Sequence, residues 1–276
     1  MKRLVLLAVW LALAPAVQAE TLDEARALYE QGDFAAALEI AEPLAEGGDA
    51  EAMYALGVML IEGRGGAPDV PAGREWTEKS AALGHAPAQH ALGLLYIGAA
   101  GDEPDWDKAA QWFRSAAEQG FAPAQYHLGA LYAEGGGVER DPVQAGEWTK
   151  RAALQGHGDA ALEYGIMVFR GEGVQKDEAI GAQWLTVAAR QGNPVAQNRL
   201  AWCYAAGRGV DADPVEAAKW HLLAREAGRE DPKLDEMVKM LSDEQREDAR
   251  ARAERFQAEL LEKQASNGKA GTNKRF

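Results

Sequence analysis

Apolar positions recur at helical spacing through most of the chain, and the pattern itself repeats. From about Ala124 to Glu134, residues Ala124, Leu128, Leu131 and Tyr132 form one stripe, which predicts an amphipathic helix. Gly135-Gly136-Gly137 then ends the helix and makes the turn. A second helix is predicted to run to about Leu154, with Ala145, Trp148, Ala152 and Ala153 facing inward. Asp141 is expected to cap it, because a carboxylate accepts the unpaired amide hydrogens of a first turn. Pro142 suits the first helical position because it has no amide hydrogen to lose. Gly156, just past the last turn, lets this helix stop sharply before the next begins.

This helix pair recurs without insertion or deletion. Trp76, Trp112, Trp148, Trp184 and Trp220 are each 36 residues apart, as are Gly84, Gly120, Gly156, Gly192 and Gly228. The same period holds for Ala52, Ala88, Ala124, Ala160 and Ala196, and for Asp69, Asp105, Asp141, Asp177 and Asp213. A fixed period of this length means stacked supersecondary units, each contacting only its neighbours. Gly57, Gly93, Gly129 and Gly165 recur inside the first helix of their units. A glycine there costs about 1 kcal/mol against alanine, so its recurrence predicts close approach of the partner helix. Tryptophan against alanine reads as the packing logic of the unit, with the tryptophan column as its main buried anchor, costing roughly 3–5 kcal/mol on truncation.

The motif Ala124-x-x-x-Leu128-Gly129-x-x-Tyr132-x-x-Gly135-x-Gly137-Val138-x-x-Asp141, followed by Ala145-x-x-Trp148-x-x-x-Ala152-Ala153-x-x-Gly156, resembles the Sel1-like repeat, a relative of the tetratricopeptide repeat. The resemblance implies an all-α fold, a right-handed α/α superhelical solenoid. Five such repeats span 49–228. Departures are local: Gly65-Gly66-Ala67 in the first unit, Ala99 for the first turn glycine of the second, and Ala201 for the helix glycine of the fifth. Residues 20–48 read as a tetratricopeptide-like helix pair in which Pro43 should kink or shorten the second helix. Residues 229–264 read as C-terminal capping helices, the last of them started by a capping box of Ser242 and Gln245, with Ala249, Ala253, Phe256 and Leu260 on one face. Residues 265–276 are polar and expected to be disordered.

The N-terminus changes the picture of where the array works. Lys2 and Arg3 precede an apolar run from Leu4 to Ala14, and Val17-Gln18-Ala19 offers small residues at the positions a signal peptidase reads, so residues 1–19 are expected to be a cleaved signal peptide, with an uncleaved N-terminal anchor as the alternative. The protein is then exported, periplasmic or secreted. Cleavage removes two basic residues and no acidic one, moving the formal charge from −14 to −16. Such a charge disfavours nucleic acid, and no membrane contact is expected after cleavage.

Candidate chemistry is sparse. Cys203 is the single cysteine, so no intramolecular disulfide can form, and its column (Met59, Leu95, Leu131, Met167) marks it as a small core hydrophobe. The five histidines, His85, His90, His127, His157 and His221, show no metal spacing, although His90 and His127 on adjacent first helices could approach each other. No nucleophile is placed beside a base by any motif. No catalytic residue, cofactor or metal is therefore expected.

The face of the first helix opposite its packing stripe is the most informative feature. It carries Tyr54, Val58 and Ile61, then His90, Leu94 and Ile97, then Tyr126, Ala130 and Ala133, then Leu162, Ile166 and Phe169, then Asn198, Trp202 and Ala205. A helix apolar on both faces is either sandwiched or offers a binding surface. The resemblance implies that these first helices line the concave side, so the rows would form a groove for another protein or peptide. Tight curvature would instead bury them against one another. The leading reading is an exported, non-enzymatic scaffold. A cell-envelope enzyme or cell-wall and β-lactam binder of the cysteine-rich Sel1 type is the alternative, although the paired cysteines of those relatives are missing here. Self-association through the ends of the array is a third.

Overall fold

A computed structural model describes residues 21–271, except 100 and 102, with side chains up to residue 266. The proposed leader, residues 1–19, and the last five residues lie outside the described part. Among the described residues there are helices and turns but no strand. The helices α1 (Leu22–Gln31) and α2 (Phe34–Glu46) form the N-terminal pair. Five further pairs follow: α3 (Ala50–Glu62) with α4 (Val70–Ala82), α5 (Ala86–Leu94) with α6 (Trp106–Glu118), α7 (Ala122–Glu134) with α8 (Pro142–Leu154), α9 (Gly158–Arg170) with α10 (Glu178–Arg190), and α11 (Pro194–Ala206) with α12 (Pro214–Glu226). A short α13 (Pro232–Lys239) and a long α14 (Asp243–Gly271) close the chain. Each of α1 to α12 packs mainly on the helices before and after it, as in an all-α solenoid, and α14 returns to pack on α12.

Capping follows the repeat. The carboxylates of Asp69, Asp105, Asp141, Asp177 and Asp213 each accept amide hydrogens from the first turn of the even-numbered helix that follows, at 2.9–3.1 Å. Ser242 and Gln245 form the reciprocal box at the start of α14, at 3.0 and 3.2 Å. The second repeat departs where its sequence does. With Ala99 in place of the turn glycine, Gly98 takes the left-handed conformation (φ 90°), and α5 ends in a π-helical turn over Leu95–Ala99. Pro43 does not shorten α2, which runs on to Glu46 and keeps thirteen residues. Being in the penultimate turn, the proline removes one hydrogen bond and leaves the next turn intact. The last helix continues through Ser266-Asn267-Gly268 to Gly271, so residues 265–271, expected to be disordered, are helical.

The tryptophan column is not the uniform buried anchor that the pattern predicts. Trp76, Trp112, Trp148 and Trp184 are half-buried, and only Trp220 is buried. The position one residue later is the buried one throughout: Thr77, Phe113, Thr149, Leu185 and His221 are at most 4% exposed. One residue is a rotation of about 100° around a helix, which turns this column onto the partner helix and the tryptophan onto its flank. The glycines in the odd-numbered helices make the room, as predicted: a Cβ on Gly129 would stand 2.5 Å from Thr149 Oγ1, and one on Gly93 2.5 Å from the Phe113 ring. Two of the half-buried indoles are covered by cations, with Lys79 Nζ 4.1 Å from the Trp76 ring centre and the Arg151 guanidinium 4.3 Å from that of Trp148.

Neighbouring units also meet backbone to backbone. A Cβ on Gly137, Gly173 or Gly209 would collide with the carbonyl oxygen of Trp106, Pro142 or Glu178, respectively, each in the first turn of the previous unit's second helix. Only glycine fits there, and it also supplies the positive φ of 65–73° that the turn needs.

Candidate partner-binding groove

The odd-numbered helices α3 to α11 carry the rows singled out in the sequence, and burial sorts those residues into three groups. Tyr54, Val58, Ile61, His90, Leu94, Tyr126 and Phe169 are half-buried. Leu162, Ile166 and Asn198 are buried, and Trp202 is 40% exposed. Leu162 belongs to the core between the fourth and fifth units, which takes it out of reach of a partner. Asn198 and Trp202 are tied down within the chain: Asn198 Nδ2 and Trp202 Nε1 both donate to Asp231 Oδ2, at 3.2 and 2.8 Å. Asp231 caps α13, so the C-terminal segment fixes the last row of the groove.

Two cavities lie along these helices. One, of about 450 Å³, opens between α7 and α9 and is lined by Tyr126, Ala130, Glu134, Glu163, Met167 and Glu172, among others. The next, of about 390 Å³, lies between α9 and α11 and brings together Ile166, Phe169, Asn198, Trp202 and Cys203. Seven of the fifteen row residues thus line open space: Tyr126, Ala130 and Ala133 in the first cavity, and Ile166, Phe169, Asn198 and Trp202 in the second. Tyr54, Val58, Ile61, His90 and Leu94 line neither. Burial pushes the Cys203 thiol up to about 11, so it stays protonated at neutral pH and acts as apolar wall.

Toward the N-terminal half, aromatic rings occupy the same side. Tyr54 meets His85 at 5.2 Å between ring centres, His90 meets His127 at 5.2 Å, His127 stacks on Phe113 at 5.0 Å, and Tyr126 stacks on His157 at 4.9 Å. The approach of His90 to His127 was legible in the sequence; the roles of His85 and His157 in the row were not, because they sit in the linkers between units. Burial lowers the proton affinity of all four imidazoles, and the neighbouring His127 and His157 help to bring His90 down to about 4. Among the described residues, no group of three or more His, Cys, Asp or Glu side chains is placed to hold a metal.

Comparison with known proteins adds the following. The segments 50–85, 86–121, 122–157, 158–193 and 194–228 each match the Sel1 repeat. The fold is similar to the crystal structure of a protective antigen present in uropathogenic Escherichia coli strains displaying an SLR fold, with a TM-score of 0.78 and 30% identity over 90% of this chain and 55% of that one. This chain therefore spans about half the length of that antigen. A Sel1 repeat protein from Oxalobacter formigenes is similar at a TM-score of 0.70 and 27% identity, covering 85% of this chain and 96% of its own. No curated protein matches the chain.

Proposed function

We propose that this chain, which belongs to the Sel1 repeat family, is an exported, non-catalytic scaffold that holds another protein along the groove of its odd-numbered helices. Sel1 repeat proteins are generally scaffolds for protein interaction. The observation that carries the reading here is the pair of cavities between successive odd-numbered helices, which leave Tyr126, Phe169 and Trp202 at least partly open on one side of the array. Partly exposed aromatic side chains beside open cavities suit recognition of a peptide or helix from a partner. Export rests on the basic start, short apolar run and small-residue cleavage pattern of residues 1–19. No helix among the described residues is long and apolar enough to cross a membrane.

The test is affinity capture from a cell-envelope extract with the mature chain and its Tyr126→Ala, Phe169→Ala double variant. The variant should keep its helical circular dichroism and lose the captured partner. Undiminished capture by the folded variant would remove the groove from the reading. Fusing residues 1–19 to a reporter that is active only outside the cytoplasm checks export separately; an inactive, uncleaved fusion would overturn it.

A further inference from the structure

The cavity between α9 and α11 has an apolar floor and a basic rim. Ile166, Phe169, Leu185 and Cys203 line it below, and Arg170, Arg199, Arg208 and Arg229 surround it. Four guanidinium groups around one cavity stand out in a chain with 43 acidic and 29 basic residues. The repeat does not explain them. At the positions equivalent to Arg199 the other units have Ala55, Ala91, His127 and Glu163; at those equivalent to Arg229 they have His85, Phe121, His157 and Asn193. Arg170 is likewise alone in its column, against Glu62, Gly98, Glu134 and Ala206.

Two of the four are paired within the chain. Arg208 donates to Glu178 at 3.2 Å through Nε and lies 4.7 Å from the Phe169 ring centre, and Arg170 lies 3.4 Å from Glu172. Arg199 and Arg229 make no side-chain hydrogen bond or ion pair among the described residues, and Arg199 Nε is buried without a partner. The carboxylate of Asp231 is already engaged: it accepts from Asn198 and Trp202 and from the amides of Lys233 and Leu234. Burial, together with the charges of Arg170 and Arg229, lowers the proton affinity of Arg199, which places these guanidiniums in one another's field. Arg199 is half-buried and the other three arginines are exposed, so the repulsion felt at Arg199 eases when an anion joins them.

We infer that this pocket takes an acidic peptide segment of the partner, its carboxylate held between Arg199 and Arg229 and a neighbouring apolar side chain lodged on Phe169 and Trp202. The inference rests on the groove reading above and adds the chemistry of the partner. A peptide suits the site better than a polyanion. The floor is apolar, the adjoining cavity carries Glu134, Glu163 and Glu172 against one arginine, Arg140, and the whole chain is at −14, so a long run of negative charge would be repelled on either side. A carboxylate beside an apolar residue matches both rim and floor, and arginine can grip it through two parallel hydrogen bonds.

The probes are fluorescein-labelled peptides in which glutamate alternates with leucine or phenylalanine, together with the same peptides carrying glutamine, titrated by fluorescence anisotropy against the mature chain. The acidic peptides should bind about tenfold or more tightly than the glutamine set, and Arg199→Gln with Arg229→Gln should abolish that preference. Binding should weaken as salt rises, and Arg250→Gln, an exposed arginine on α14, should leave it unchanged. Equal binding of both peptide sets, binding of neither, or an unaltered preference in the double variant would overturn the assignment. So would full displacement of the acidic peptide by inorganic phosphate together with indifference to the apolar residue. If the arginine variant still captures the envelope partner while Tyr126→Ala, Phe169→Ala does not, the charge assignment falls and the groove reading stands.

Discussion

The third and fifth repeats share one template and hold their helices together by different means. In the third, Gly129 lets α8 come close enough for Thr149 to rest on backbone, while Trp148 stays half-buried. Gln125 ties α7 to the helices on either side, donating to the Ala117 carbonyl of the second unit at 3.1 Å and accepting from Gln155, at the end of α8, at 2.7 Å. In the fifth, Ala201 replaces the glycine and His221 takes the place of Thr149, with its Nε2 2.8 Å from Asp235 on α13. Trp220 is buried, its ring 5.2 Å from that of Phe256 on α14. Gln197 still donates to the Ala189 carbonyl at 3.3 Å, but its Oε1 is buried without a donor, because Ala227 stands where the third unit has Gln155. An inner unit is thus finished by the next copy of itself. The outermost unit is finished by two unrelated helices, and its side chains have changed to meet them.

The largest expected effect tests that contrast directly. Trp220→Ala should cost about 3–5 kcal/mol in urea unfolding followed by circular dichroism, and Trp148→Ala about 1–2 kcal/mol, since less apolar surface returns to water. Equal costs would mean that the difference in burial between the two units does not govern their stability.

Acid should act on the first three units. His85, His90, His127 and His157 have folded proton affinities below the ordinary value of 6.5, with His90 near 4, so below about pH 6.5 the unfolded chain binds more protons than the folded one. Their contribution is complete above about pH 7 and is lost as pH falls toward about 4, on the order of 3 kcal/mol for His90 alone. Melting temperatures measured across this range should fall, and His90→Gln should flatten the slope. An unchanged slope would show that the ring row stays neutral at no cost.

Smaller effects concern the glycine and the glutamine. Gly129→Ala should destabilise by about 1–3 kcal/mol, because the added methyl meets Thr149 Oγ1 and the Ala145 carbonyl. The reverse change in the last unit, Ala201→Gly, should also destabilise, by about 1 kcal/mol, through backbone entropy. A stabilised Gly129→Ala would deny the close approach. Ala227→Gln should raise stability by about 1 kcal/mol by giving Gln197 its missing donor. No gain in the melting temperature would break the parallel between the two repeats.

The period, the caps and the turn glycines were legible because each is local chemistry written at a fixed spacing. Asp141 caps α8, Ala99 disturbs the turn of the second unit, and Gly129 marks a close approach, all as the sequence implies. Burial was less legible. Trp148 and Thr149 differ by one position on the helix, and size and apolarity favoured the wrong neighbour; rotation about the axis decided it. Side-chain partners between the two helices of a unit were largely hidden, since the bond of Gln119 to Gln89 and that of Gln155 to Gln125 each join positions 30 residues apart, outside the columns of the repeat. In the groove, Leu162 joins the core and Trp202 is oriented by a hydrogen bond to Asp231 while its ring still lines the cavity, neither of which helical spacing alone reveals. The arginine rim was missed because its members come from different columns and meet only when the units stack.

Gly137, Gly173 and Gly209 each lie on a backbone carbonyl of the preceding unit, with no side chain between. The angle at which successive units are laid down is therefore set by main chain, whose shape is the same whatever residues surround it. Curvature and recognition are separately encoded in such an arrangement. The inner surface is free to exchange histidine for glutamate, or glutamate for arginine, from one unit to the next, while the coil that presents it keeps its pitch.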